Sequence, residues 1–243
     1  MKIEGKNVLV TGSNRGIGRA LVEAALERGA ARVYATARSP STPAAMPARS
    51  DGRLVPLRLD VTSAEQIERV AETANDVDLL INNAGVLASF GVLAGSPADV
   101  QRDLDTNFFG LLLLARAFTP VLAGRKNSAL VSILSVAALA SMPPLGGYSS
   151  SKAAAWSLTQ ALRAELGKHG VQTFAVFPGP VDTDMTRGYD MAKTPAATVA
   201  RAILDDIELS VLDIYPDPMS RDVGALFAKD PAAVERRFAA PQG

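Results

Sequence analysis

The chain has 243 residues, with 25 Lys plus Arg balanced by 25 Asp plus Glu and 48% apolar residues. That length can bury a substantial core in one large α/β domain, and a net charge of zero gives no electrostatic reason to expect nucleic acid or an anionic membrane as partner. The absence of cysteine and the single histidine, His169, exclude disulfides, thiolate catalysis and cysteine or multi-histidine metal sites, so no metal is expected.

The opening MKIEGKNVLV lacks the long apolar core of a signal peptide, and the apolar run 108–114 is too short to span a bilayer. A soluble cytoplasmic protein is expected. Residues 7–11 (NVLVT) read as a buried strand. Residues 17–28 read as a helix stopped by Gly29. Strands follow at 32–36 and 53–59, the latter at a sheet edge because it contains Pro56. Ser63 caps a helix to about residue 74. A strand at 78–82 precedes a long helix that starts after Ser96, with Pro97 in its first turn, and ends at 122. A strand at 129–134, a helix at 148–168, a strand at 171–177, a helix at 197–209 and a short strand near 213–215 complete the order. His169, at a helix end before Gly170, reads as a surface residue.

Alternating β and α predicts a doubly wound parallel sheet of Rossmann type, with helices on both faces. No repeat or linker divides the chain, so a single domain over 1–243 is expected. Residues 39–52 read as a Pro/Ser/Ala loop. Residues 184–196 read as a short substrate loop, and 216–243 as a C-terminal helical extension.

TGSNRGIG, residues 11–18, lies between the first strand and the first helix. A helix N-terminus offers free N–H groups and a positive dipole end to a pyrophosphate. Close approach favours residues without Cβ, here Gly12, Gly16 and Gly18. The loop Gly12, Ser13, Asn14, Arg15, Gly16, Ile17 and Gly18 is therefore a candidate dinucleotide cradle, although its G-x-x-x-G-x-G spacing differs from G-x-G-x-x-G. The second strand ends in ATARSP. It carries no acid for a ribose 2′-hydroxyl, but Arg38 lies about 20 residues after the glycines, and Arg15 lies within them. Two arginines and no acid favour NADP(H) over NAD.

YSSSK, residues 148–152, sets a phenol four residues before a cation on one helical face. That spacing fits an ordinary helix start or a proton-transfer pair. A free tyrosine has a pKa near 10, and a nearby ammonium favours its phenolate. Ser135 is placed to hold a substrate oxygen.

TGSNRGIG, Asp60-Val61, NNAG at 82–85, Asn107, Ser135, YSSSK and PGPVDT at 178–183 occur in one order. Together they resemble the classical short-chain dehydrogenase/reductase family over residues 6–215. The resemblance implies that Asp60 and Val61 hold the adenine and that Asn82, Ala84 and Gly85 lie beneath the cofactor. It further implies that Pro178, Gly179, Val181 and Thr183 line the nicotinamide. Tyr148 is then general acid in reduction and base in oxidation. Lys152 tunes it and binds the nicotinamide ribose, Ser135 orients the carbonyl, and Asn107 holds a water joining Lys152 to solvent. Ser132 is read as a strand residue only.

The expected activity is NADPH-dependent reduction of an aldehyde or ketone, with alcohol oxidation as the reverse. Leu87, Leu139, Met142, Leu145, Met185 and Tyr189 are candidate apolar walls. The serines inside YSSSK depart harmlessly from the family's usual small residue. The C-terminal stretch departs more: Val223, Leu226 and Phe227 form one helical face, for the substrate cleft or for a subunit contact. That tail, and the lack of a basic cluster, argue against a carrier-protein-linked ketoreductase. The alternative is an NADP(H)-binding redox sensor or scaffold with little turnover. The resemblance also implies a homodimer or homotetramer built through helices 97–122 and 148–168.

Overall fold

The computed structural model describes residues 1–38, 51–93 and 95–240. Most of the loop expected at 39–52, and the last three residues of the C-terminal extension, lie outside the described residues. Nine strands occur among the described residues: β1 (Asn7–Val10), β2 (Arg32–Ala37), β3 (Leu54–Arg58), β4 (Leu79–Asn82), β5 (Ala129–Ile133), β6 (Gln172–Val176), β7 (Val181–Asp182), β8 (Thr194–Pro195) and β9 (Asp213–Ile214). Seven form one parallel sheet in the order β3-β2-β1-β4-β5-β6-β9. Strand order reverses between β1 and β4, so their carboxyl ends open the crevice where such sheets bind ligands. β3 is an edge strand, as Pro56 requires.

The pleat sorts apolar residues onto two faces. Leu9, Leu80 and Leu130 face one layer, and Val8, Val10, Leu79, Ile81 and Val131 face the other. The second face is covered by α1 (Gly16–Glu27) and, late in the chain, by a helix over Ala196–Glu208 that packs on α1. Gly29, at φ +79°, ends α1 in the left-handed conformation that glycine permits.

The first face carries α2 (Ala64–Thr73), whose Gln66 N–H is capped by the Ser63 hydroxyl. It also carries the chain's longest apolar helical stretch. The continuous helix expected over 97–122 is instead α3 (Pro97–Leu104), one wide π turn over Asp105–Phe109, and α4 (Gly110–Ala123). The wide turn has a local cause. Asn107 turns inward to bond Val86, and a Cβ on Gly110 would meet the Val61 side chain at 2.9 Å. By length and composition Pro97–Ala123 could cross a membrane, but Leu111, Leu114, Phe118 and Leu122 are buried in the core.

α5 (Gly146–Gly167) starts two residues before the expected 148. Gly146 and Gly147 belong to the helix because neighbouring chain fills the space of their missing side chains. A Cβ would meet Val92 at 2.5 Å and the Ser89 hydroxyl at 2.3 Å respectively. β7 and β8 pair, closing the base of the 184–196 segment before α6 (Ala196–Glu208). The C-terminal extension folds as α7 (Pro218–Lys229) and α8 (Pro231–Ala239). Val223 is fully buried, and Leu226 and Phe227 pack on the first-face core, so that helical face is spent inside this chain.

Candidate active site

The loop after β1 is built around glycine. Gly12 and Gly16 have φ of +63° and +55°, and a Cβ on Gly18 would lie 2.4 Å from the Gly12 carbonyl oxygen. The loop is tied to the end of β4. The Thr11 hydroxyl accepts the N–H groups of Asn83 and Ala84 at 3.0 and 2.9 Å, and the Asn83 carboxamide donates to the Thr11 and Gly12 carbonyls. Ser13 is buried and bonds the Thr36 carbonyl, so it braces the loop against β2 and does not line the cleft.

These elements border a cavity of about 1230 Å³. Gly12, Asn14, Arg15, Gly16, Ile17 and Gly18 form one end, with Arg38, Asp60 and Val61 beside them. Arg38 is exposed at the end of β2. Arg15 reaches across the cleft to Asp184, 3.3 Å away. Asp60 accepts from the Thr62 N–H and hydroxyl through one oxygen. Ala84, Gly85, Pro178, Gly179, Val181 and Thr183 also line it, Ala84 lying against Gly12 and Thr183 against Gly16. The cradle's missing side chains and the cavity's volume fit a dinucleotide.

Ser135, Tyr148 and Lys152 meet at the middle of the cavity. Ser135 follows β5, and its hydroxyl accepts from the Ala137 N–H at 3.1 Å. Tyr148 and Lys152 stand one turn apart on α5, with Lys152 Nζ 5.8 Å from the phenol ring centroid. Both are almost wholly buried, at 8% and 5% exposure. Lys152 Nζ donates to the Ile133 carbonyl at 2.9 Å.

Sequence reasoning expected Lys152 to pull the phenol below its ordinary range, but burial wins here. Burial pushes Tyr148 up to about 12, against a lowering hydrogen bond with Ser135, and Asp103 and Tyr189 raise it further. Burial likewise lowers Lys152 to about 8, against the attraction of Asp103. At neutral pH the pair is therefore a protonated phenol and an ammonium.

Asn107 does not line the main cavity. Its Oδ1 accepts from the Val86 N–H, and its Nδ2 donates to the Val86 carbonyl and the Ser151 hydroxyl. With Lys152 it borders a small polar void of about 10 Å³ behind the site, near the minimum for one water. Asn82 also borders that void and not the cleft, and neither end of its buried carboxamide has a partner among the described residues. The neighbouring Asn83 lines the cleft. Of the expected apolar walls, Leu87, Met142, Leu145, Met185 and Tyr189 line the cavity, whereas Leu139 is in the core.

The short chain dehydrogenase family model matches residues 6–193. The chain belongs to the short-chain dehydrogenase/reductase family. This oxidoreductase is 38% identical over 201 residues to short chain dehydrogenase pigC of Monascus ruber, covering 77% of this chain and 66% of that protein. It spans 44% of the length of the related tazN of Aspergillus terreus. A crystal structure of a short chain dehydrogenase from Burkholderia cenocepacia in complex with NADP superimposes with a TM-score of 0.92 at 37% identity, covering 99% of this chain and all of that one. A Burkholderia phymatum member in complex with NAD gives 0.86 at 25% identity, over 100% and 99% of the two chains.

Two carboxylates of this dehydrogenase escape sequence reasoning. Asp217, buried, caps α7 and binds the Gly179 N–H. Asp103, also buried, binds the segment after NNAG. Met219 and Phe238, from α7 and α8, line the cavity, which places the C-terminal helices on the cleft.

Proposed function

We propose that this dehydrogenase is an NADPH-dependent reductase of apolar aldehydes or ketones. The observation that carries the reading is the convergence of Tyr148, Ser135 and Lys152 on one cavity that also reaches the glycine loop, with Lys152 Nζ 5.8 Å from the phenol ring. A phenol kept protonated at neutral pH is the form that a general acid needs. Ser135 holds the carbonyl oxygen as charge develops on it. Tyr148 protonates that oxygen, and Lys152 stabilises the charge left behind and orients the cofactor ribose. Asn107 fixes the wall behind Lys152, beside a void that can seat the relay water.

The nicotinamide, when bound, supplies hydride. Gly12, Asn14, Arg15, Gly16, Ile17 and Gly18 would hold its pyrophosphate, and Arg38 the 2′-phosphate, with no acid at the end of β2 to favour NAD. Asp60 and Val61 would hold the adenine. Ala84 and Gly85, with Pro178, Gly179, Val181 and Thr183, would hold the nicotinamide end. The NADP-bound relative supports this preference. Met142, Leu145, Met185 and Phe238 make the substrate end apolar. Assembly as a dimer or tetramer through the outer faces of α4 and α5 is part of the reading. Phe109, in the wide turn before α4, is 45% exposed and offers apolar surface to such a contact.

The test is initial-rate NADPH oxidation over a panel of aldehydes and ketones, beside NADH and beside Tyr148→Phe. Turnover with NADPH, a poorer rate with NADH and a dead variant that still binds NADPH are expected. Tight NADPH binding with no turnover on any carbonyl would favour a redox-sensing role.

A further inference from the structure

We propose that Asp103 is a positioning residue of this site: its buried carboxylate fixes the segment after NNAG, thereby seating the turn that carries Tyr148, and its charge balances the Lys152 ammonium. The inference rests on the proton-transfer reading of Tyr148 and Lys152.

Asp103 lies on α3 with no solvent exposure. Its Oδ1 accepts the Ala88 N–H at 2.8 Å, and its Oδ2 accepts the Ser89 N–H at 3.1 Å and the Ser89 hydroxyl at 2.5 Å. Three donors converge on one carboxylate, and all three come from the segment that leaves the cofactor-binding end of β4. Ser89 is itself fully buried. Its hydroxyl occupies the space where a Cβ on Gly147 would lie, 2.3 Å away, and Val100 of α3 presses on the same point at 2.9 Å. Gly147 immediately precedes Tyr148. The chain of contact runs from Asp103 to Ser89, to Gly147, to the phenol.

The second role follows from charge. Lys152 is buried and has a carbonyl as its hydrogen-bond partner. A buried ammonium needs an opposing charge to stay protonated. Asp103 is the carboxylate whose attraction acts on Lys152, and it acts on Tyr148 as well. The other titratable group acting on Tyr148 is Tyr189, from the segment between β7 and β8. Removing the Asp103 charge lowers the pKa of both Tyr148 and Lys152, because it raises both. The two shifts reinforce each other, and the rate of reduction then falls off at lower pH.

The experiment compares wild type, Asp103→Asn, Asp103→Glu, Ser89→Ala and Tyr148→Phe. It measures kcat against pH with NADPH and the best carbonyl of the panel, and NADPH affinity by titration. Asp103→Asn is expected to lower kcat about tenfold or more and to move the basic limb of the profile down by about one pH unit, with NADPH affinity kept. Ser89→Ala and Asp103→Glu retain the charge, so they are expected to lower kcat while leaving the limb in place. A wild-type limb in Asp103→Asn overturns the proposal, as does a limb that Ser89→Ala moves equally far. If Asp103→Asn does not fold, the limb in the other two variants decides: unmoved supports the proposal, moved overturns it. Turnover surviving in Tyr148→Phe would refute the underlying proton-transfer reading. A dead Tyr148→Phe beside an unaltered Asp103→Asn would refute only the role of Asp103.

Discussion

The Asp217 carboxylate binds two parts of the chain at once. Its Oδ2 accepts the Gly179 N–H at 2.8 Å, and its Oδ1 accepts the Ser220 N–H at 2.9 Å, capping α7. Gly179 stands on the cavity wall, so the C-terminal helices are riveted to the strand-end loop that borders the cleft. Asp217→Ala leaves a buried N–H unpaired and removes a helix cap. The expected loss is about 3 kcal/mol, read as a fall in Tm of roughly 10 °C, with a raised KM for NADPH.

Lys152 gives a pH prediction with a definite sign. Its folded pKa of about 8 lies below the ordinary value of 10.5. The ammonium is therefore lost as pH rises through about 8, and the rate of reduction falls there, well below the Tyr148 value of about 12. Rates measured from pH 6 to 10 (about the useful buffer range) check this.

The same shift bears on stability. Between pH 8 and 10.5 the unfolded chain holds more protons at this residue than the folded chain, so wild-type stability gains from rising pH across that window. Lys152→Met should be inactive yet more stable at pH 7 by about 2 kcal/mol. That is an upper value of about 3 from the shift, less about 1 for the lost bond to Ile133. The advantage should shrink as pH rises through the window, as urea unfolding at several pH values would show.

Arg38→Ala separates the two nicotinamide cofactors. Loss of a charge-assisted contact to the 2′-phosphate should raise KM for NADPH about tenfold or more and leave KM for NADH unchanged. Equal effects on both cofactors would remove Arg38 from the phosphate site.

Phe238→Leu opens the substrate end of the cavity, which Phe238 lines from α8. The kcat/KM for bulky ketones relative to short aldehydes should rise about tenfold, at a stability cost of about 1 kcal/mol. Unchanged selectivity would place the substrate away from α8.

The sheet, its edge strand and the glycine cradle were legible because each rests on a local signal: strand period, Pro56, and glycine between strand and helix. The tertiary features were not. Asn82 and Asn83 are adjacent, and only the pleat of β4 decides which one turns to the cleft. Spacing over 97–122 reads as one helix, because nothing local announces that Asn107 will be drawn inward to Val86. Gly146 and Gly147 look like a loop until Ser89 and Val92 are seen to fill the space beside them. Asp103 and Asp217 resemble ordinary helix-surface and helix-start acids, but Ser89 donates to the first from 14 positions away and Gly179 to the second from 38.

Trp156, the sole tryptophan, lies edge-on to Phe177 at 5.5 Å and to Phe227 at 5.7 Å. Its indole N–H is buried without an acceptor among the described residues. It therefore joins α5, on which it sits, to the end of β6 and to α7. The molecule thus carries its own optical probe. Emission should be blue in the intact fold and move to the red when α7 lifts away, so detachment of the C-terminal cover can be followed without a label and apart from global unfolding.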